Sequence, residues 1–395
     1  MTEAGAGART EGAAGGPRRG PARLDSLTGL RFLAAILVVV HHTVANDVHH
    51  HGLVDLPVLR PFATLGYTGV TFFFVLSGFV LTWSWLPTRP DRDFWVRRVA
   101  RVYPLHAASW LVSIPVLLAT KASIGFLPAA LSLVLLQSWS TSSGIAFGMN
   151  GLSWSLSCEA FFYLAFPFLI RRLARRPDPV LWRVIGGCVG LIALVPSVFY
   201  GIGGKGAIAF LYYFPAYRIL EFVIGICLGL LVSRGWRPRL PAWAGPVVVV
   251  ASLLVTIGLS RVYAHHGGGA ALPRALGSFV MLPGYALAIV AGAVADVRGV
   301  RSWVASRTMV LLGTWSFALY MTHLLFITAV ESVVGQRTVY HGAVGAAVLV
   351  GIAVCAVAIS AATYRVVERP AERWVRTRLS GARPPRRPEA GATQA

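Results

Sequence analysis

The stretch LTGLRFLAAILVVVHHTVAND, residues 27–47, is apolar except where Arg31 and the pair His41-His42 interrupt it. If a helix begins near Leu27, His42 lies roughly 16 Å beyond Arg31, at about 1.5 Å per residue. Ionisable groups at that depth in an apolar helix face a protein interior or an aqueous cavity, and they point to function. A neutral imidazole in a poorly solvated site can take a proton from a hydroxyl or act as a nucleophile. The competing structural reading is a histidine hydrogen-bonded to a neighbouring helix, with Arg31 snorkelling to head groups.

Further stretches carry polar groups of the same kind. FFFVLSGFVL (72–81) sets Ser77-Gly78 in an aromatic run, where a small pair permits close helix contact. FWVRRVARVYPLH (94–106) puts Arg98 and Arg101 three apart on one helical face, a spacing suited to phosphoryl oxygens, although topology signalling alone also calls for arginines there. GLSWSLSCEAFFYLAFPF (151–168) holds Trp154, Glu159 and Tyr163; the carboxylate needs a partner, structural or catalytic. YRILEFVIGICLG (217–229) adds Arg218 and Glu221, SFALYMTHLLF (316–326) adds Tyr320 and His323, and YRVVERPAERW (364–374) adds Glu368.

The elements that must position these residues are membrane helices. Of the 395 residues 56% are hydrophobic and only 13% charged, too apolar for a soluble domain of that length. Runs near 27–47, 66–86, 102–120, 152–170, 182–201, 209–232, 243–262, 275–295, 309–331 and 342–366 approach the roughly 20 residues that span a bilayer. The expected fold is all-α and polytopic, with about ten transmembrane helices plus one short re-entrant or interfacial segment at 127–138. Arginine-rich gaps alternate with gaps nearly free of arginine, so the +21 formal charge reads as a positive-inside signal, and no folded polar domain exists to bind nucleic acid. Residues 1–23 and 377–395 are expected to be basic, disordered cytoplasmic tails around a membrane domain at 24–376, which places the protein in the plasma membrane with both termini inside.

Cys158, Cys188, Cys227 and Cys355 lie in apolar runs without Cys-x-x-Cys spacing, so neither a disulfide framework nor a zinc site is indicated. The consecutive His49, His50 and His51 have diverging side chains and do not form a metal set from one helix. No metal is expected.

Taken together, these stretches resemble the acyltransferase family 3 membrane proteins, which include O-antigen and macrolide O-acyltransferases. The resemblance runs from about Leu24 to Trp374. The family's arginine, ten residues, then histidine falls on Arg31 and His42; its paired arginines fall on Arg98 and Arg101. Its Ser-Gly-Phe falls on Ser77, Gly78 and Phe79, and its Trp-Ser-Leu-x-x-Glu-x-x-Phe-Tyr on Trp154, Ser155, Glu159, Phe162 and Tyr163. Tyr320, His323 and Glu368 also match. The chain departs from the pattern in its His41-His42 doublet and in having no fused SGNH-type domain.

The resemblance implies transfer of an acyl group from cytoplasmic acyl-CoA, a substrate and no permanently bound cofactor, to a hydroxyl of a carbohydrate or macrolide acceptor. Arg31, Arg98 and Arg101 would hold the CoA phosphates, His42 would serve as base or transient acyl carrier, and Glu159 would assist, for instance by orienting the imidazole. Ser77, Trp154, Tyr163, Arg218, Tyr320, His323 and Glu368 are further candidates. The rival reading is a transporter that uses intramembrane His, Glu and Arg.

Overall fold

The structure is a computed structural model that describes residues 23–45, 52–203, 206, 210–239, 244–265 and 271–379. The sequence before Arg23, His49 to His51, His266 and the residues after 379 lie outside the described residues.

Apolar runs of spanning length form helices because a helix satisfies its own backbone polar groups where water is absent. In chain order these are α1 (Asp25–Val44), the short α2 (Arg60–Ala63), α3 (Gly69–Trp83), α4 (Asp91–Ala119), α5 (Phe126–Leu133), α6 (Ser143–Ala146), α7 (Trp154–Ala174) and α8 (Asp178–Gly201). They continue as α9 (Pro215–Ser233), α10 (Ala244–His265), α11 (Ala271–Val297), α12 (Arg307–Thr314), α13 (Ser316–Val334) and α14 (Gly342–Thr363). A π-helical turn (Tyr364–Glu368) leads from α14 into α15 (Arg369–Leu379). Two-residue strands β1 (Val54–Asp55) and β2 (Tyr340–His341) pair in parallel, Val54 opposite Tyr340.

Among the described residues, eight helical stretches are long and apolar enough to cross a membrane: 25–44, 60–83, 91–119, 178–201, 215–233, 276–297, 316–334 and 342–379. The other two runs expected to span are also helices. In α7, serines, Glu159, Tyr163 and the closing Arg171 and Arg172 dilute the apolar run, and in α10 the apolar part is 244–259. Leu111 and Val354 are 60% and 63% exposed, as side chains that face lipid tails would be. Segment 127–138 folds as α5 and a following 3-10 turn, well short of a span.

Local chemistry explains where the helix ends depart from hydropathy. α4 begins at 91, not 102, because Asp91 and Asp93 occupy the first turn after Pro90, where negative charge complements the helix dipole. Asp91 also accepts a two-pronged contact from Arg171 of α7, at 2.5 and 2.7 Å. Arg98 and Arg101 are therefore held on a rigid helix and not in a loop. At the other end, α15 runs past the expected boundary at 376, supported by the Glu372–Arg376 pair one turn apart, at 3.0 Å.

Two contacts fix the helices that carry the polar residues. Leu24 offers α1 no side-chain cap; instead the Ser26 amide and hydroxyl donate to the Asp296 carboxylate of α11 at 2.8 and 2.7 Å, satisfying an orphan donor of the first turn. α3 and α9 approach so closely that a Cβ on Gly78 would strike the Phe222 carbonyl, and one on Gly225 the Val75 carbonyl. The small residue after Ser77 thus does what the sequence suggested, letting two backbones touch where lipid supplies no hydrophobic drive.

Candidate active site

Helical spacing gathers the candidates into stripes. Ser155, Glu159 and Tyr163 succeed one another every four residues on α7, Ser316 and Tyr320 do so on α13, and Arg98 and Arg101 lie three apart on α4. These stripes, with Arg31 of α1 and Phe73 and Ser77 of α3, line one cavity. Seven of the twelve residues singled out from sequence meet there: Arg31, Ser77, Arg98, Arg101, Glu159, Tyr163 and Tyr320.

The three arginines are not equivalent. Arg101 forms an ion pair with Glu368, whose side chain is 1% exposed, and reaches Glu372 at 3.3 Å. Its guanidinium also lies 5.9 Å from the Phe317 ring. Arg98 has no ion pair among the described residues; its guanidinium lies 5.8 Å from the Phe94 ring and its buried Nε lacks a hydrogen-bond partner. Arg31 likewise makes no ion pair among the described residues. Two uncommitted guanidinium groups therefore face the cavity beside one that is already neutralised. The sequence treats Arg98 and Arg101 as a matched pair; the structure separates them.

Glu159 accepts a hydrogen bond from the Tyr163 hydroxyl at 2.6 Å, and Ser77 lies against the same tyrosine. The expected contact between Glu159 and the His42 imidazole is not formed. The nearest-turn spacing on α7 supplies the carboxylate with a partner before another helix can.

His42 meets a different group. Its Nδ1 lies 2.8 Å from the Val38 carbonyl and 3.3 Å from Nε2 of His323. The two rings are 5.2 Å apart, centre to centre. Nδ1 of His323 lies 2.8 Å from the Leu319 carbonyl. His41 points elsewhere: it is 4% exposed and its Nδ1 bonds the Ala63 carbonyl of α2 at 2.8 Å, a structural tether. His42 is partly accessible, so accessibility separates the two members of the doublet. Tyr320 lines the cavity, bonds Ser155 at 2.9 Å and lies 6.1 Å, ring centre to ring centre, from His323.

Besides the histidine pair and Glu368, two candidates lie outside the cavity lining. Trp154 is a packing residue, 3% exposed against Phe74 and Tyr212. Arg218 is 2% exposed and pairs with Glu221 at 3.0 Å, with Thr71 at 3.2 Å and the Phe74 ring completing its surroundings. Sequence reading missed Glu372, although it stands one turn after Glu368 on the face that meets Arg101. Cys158 is buried and its thiol donates to the Tyr213 carbonyl at 3.4 Å. Among the described residues no three His, Cys, Asp or Glu side chains come together to hold a metal ion.

Comparison with known proteins identifies the family. The acyltransferase 3 family model, described as an acyltransferase domain, matches residues 24–365. The chain is 34% identical over 386 residues to the acyltransferase MdmB of Streptomyces mycarofaciens, covering 92% of this chain and 95% of that one. It is 25% identical over 356 residues to the O-acetyltransferase OatA of Staphylococcus aureus, covering 81% of this chain and 53% of that one. No solved structure matches. The transporter reading of the intramembrane charges gives way to these matches: the chain belongs to the acyltransferase 3 family and is a multi-pass membrane enzyme that transfers acyl groups.

Proposed function

We propose that the enzyme moves a short acyl group from cytoplasmic acyl-CoA to a hydroxyl of a carbohydrate or glycosylated acceptor, such as a cell-envelope polysaccharide or a macrolide sugar. The observation that carries this reading is the cavity in which Arg31 and Arg98 make no ion pair among the described residues, and whose lining residue Tyr320 lies 6.1 Å, ring centre to ring centre, from His323 of the His42–His323 pair. Guanidinium forks chelate phosphoryl oxygens, so the uncommitted arginines suit the phosphates of CoA. The roughly 16 Å of helix between Arg31 and His42 suits an extended thioester arm laid along α1. The acetyl-transferring relative OatA supports a hydroxyl acceptor and a short acyl chain.

In the transfer, an acceptor hydroxyl gives its proton to Nε2 of His42 as its oxygen attacks the thioester carbonyl carbon. The tetrahedral intermediate expels the CoA thiolate by breaking the carbon–sulfur bond, and the imidazolium returns the proton to that sulfur. In the two-step version Nε2 attacks the thioester first and the carbon–sulfur bond breaks to release the CoA thiolate; the acceptor oxygen then attacks the acyl-imidazole carbonyl carbon, the carbon–nitrogen bond breaks to restore the neutral imidazole, and the acceptor's proton passes to the thiolate. Glu159 and Tyr163 sit on the arginine side of the cavity, where they order its polar wall.

The test is release of free CoA from acetyl- and propionyl-CoA by purified protein in detergent, with candidate sugars and macrolides present. Wild-type release that His42→Ala abolishes supports the reading. Consumption of neither donor by a folded wild-type protein, or full activity in His42→Ala, overturns it.

A further inference from the structure

The His42–His323 contact has only one consistent arrangement of protons. A carbonyl oxygen can only accept, so the short contacts to Val38 and Leu319 require a proton on Nδ1 of both neutral rings. Nε2 of each ring is then a lone pair. At the 3.3 Å contact between the rings the sole hydrogen is that of His42 Nδ1, shared between the Val38 carbonyl and Nε2 of His323. Moving that proton to Nε2 of His42 would set its Nδ1 lone pair against two acceptors at once.

We propose that His323 is a positioning residue that acts through His42: its Nε2 accepts from His42 Nδ1–H, holding His42 in the tautomer whose Nε2 lone pair is free to react. This rests on the reading of His42 as base or acyl carrier. When Nε2 of His42 gains a proton or an acyl group, positive charge spreads onto Nδ1–H, which already faces two acceptors. A neutral imidazole thus occupies the place that a carboxylate takes beside a catalytic histidine in the serine hydrolases, as fits an apolar helix interior where a lone carboxylate is costly. The role belongs to an acceptor atom at one place, so it separates substitutions by reach. A glutamine carbonyl can stand near Nε2 of the lost ring; an asparagine carbonyl, one methylene shorter, cannot; a leucine offers no acceptor.

The experiment measures kcat and KM for acetyl-CoA in detergent for wild type, His323→Gln, His323→Asn and His323→Leu, each checked for a monodisperse, cooperatively melting state. The expected result is kcat down about a hundredfold in the leucine and asparagine variants, within the roughly 10² to 10⁴ that a general base supplies, with KM within about twofold of wild type. The glutamine variant should recover to within about tenfold of wild type. Equal losses in glutamine and asparagine, unchanged kcat in leucine or asparagine, or an effect confined to KM would overturn the proposal. NMR of isotope-labelled histidine, assigned with His42→Ala, reads the tautomer without any turnover. A resting His42 protonated on Nε2 overturns the proposal even if the enzyme is active. A protein that consumes no acyl-CoA but holds the proton on Nδ1 defeats the functional reading and leaves the pair intact.

Discussion

Arg101 on α4 and Glu368 on the π-helical turn form an ion pair in which the carboxylate is 1% exposed and the guanidinium 24%. Removing one member of such a pair strands the other in a place that cannot hydrate it, and typically costs about 3–5 kcal/mol. Arg101→Ala should therefore lower the melting temperature in detergent sharply, and Glu368→Gln should be milder because Glu372 still faces the arginine. Equal melting of Arg101→Ala and wild type would deny the pair its structural role.

Arg98, three residues earlier on the same face, should behave in the opposite way. It forms no ion pair among the described residues, so Arg98→Ala should stay within about 1 kcal/mol of wild type in stability. Its KM for acetyl-CoA should rise about tenfold, as loss of a charge-assisted contact implies, and Arg98→Lys should recover only part because a lysine lacks the two-pronged fork. A kcat loss at unchanged KM would place Arg98 away from the donor.

The histidine doublet divides between stability and turnover. His41→Ala leaves the buried Ala63 carbonyl without its bond and should cost about 1–3 kcal/mol while keeping kcat within about tenfold of wild type. His42→Ala should lose about 10² to 10⁴ in kcat with little change in melting. Parallel melting curves and CoA-release assays on the two variants decide it.

The α3–α9 contact predicts a contrast between glycines. Gly78→Ala and Gly225→Ala each drive a methyl into a facing carbonyl and should destabilise by about 1–3 kcal/mol or more, or abolish folded expression. Gly186→Ala in α8, where nothing lies within 4 Å, should be neutral or stabilising by up to about 1 kcal/mol. Fluorescence-detected size exclusion after a heat step compares the three.

The stripes that line the cavity were legible because their periodicity is local. Arg98 with Arg101, and Ser155 with Glu159 and Tyr163, fall on single helix faces by counting alone, and the family pattern brought Arg31 and Ser77 to the same set. The choice of partners was not legible, because it depends on which helices adjoin. Nothing in the order of residues says that His42 meets His323 from far along the chain, or that Arg101 is already paired. Glu159 illustrates the limit: its bond to Tyr163 is an i, i+4 contact that spacing offered, whereas the family resemblance directed attention to His42. Arg218 was drawn into the candidate set by its charge, but its environment of Glu221, Thr71 and aromatic faces is a self-contained one. The early start of α4 was readable from Pro90 followed by two aspartates, a helix-start signal that hydropathy averages away.

The ion pair that closes one side of the cavity joins the third long helix to the last. During synthesis Arg101 is made with the early helices, while Glu368 follows only after all the helices between them. Until then Arg101 lacks the carboxylate with which it pairs. A chain stopped short of the π-helical turn would leave Arg101 unanswered, so this wall of the cavity is neutralised only late in synthesis.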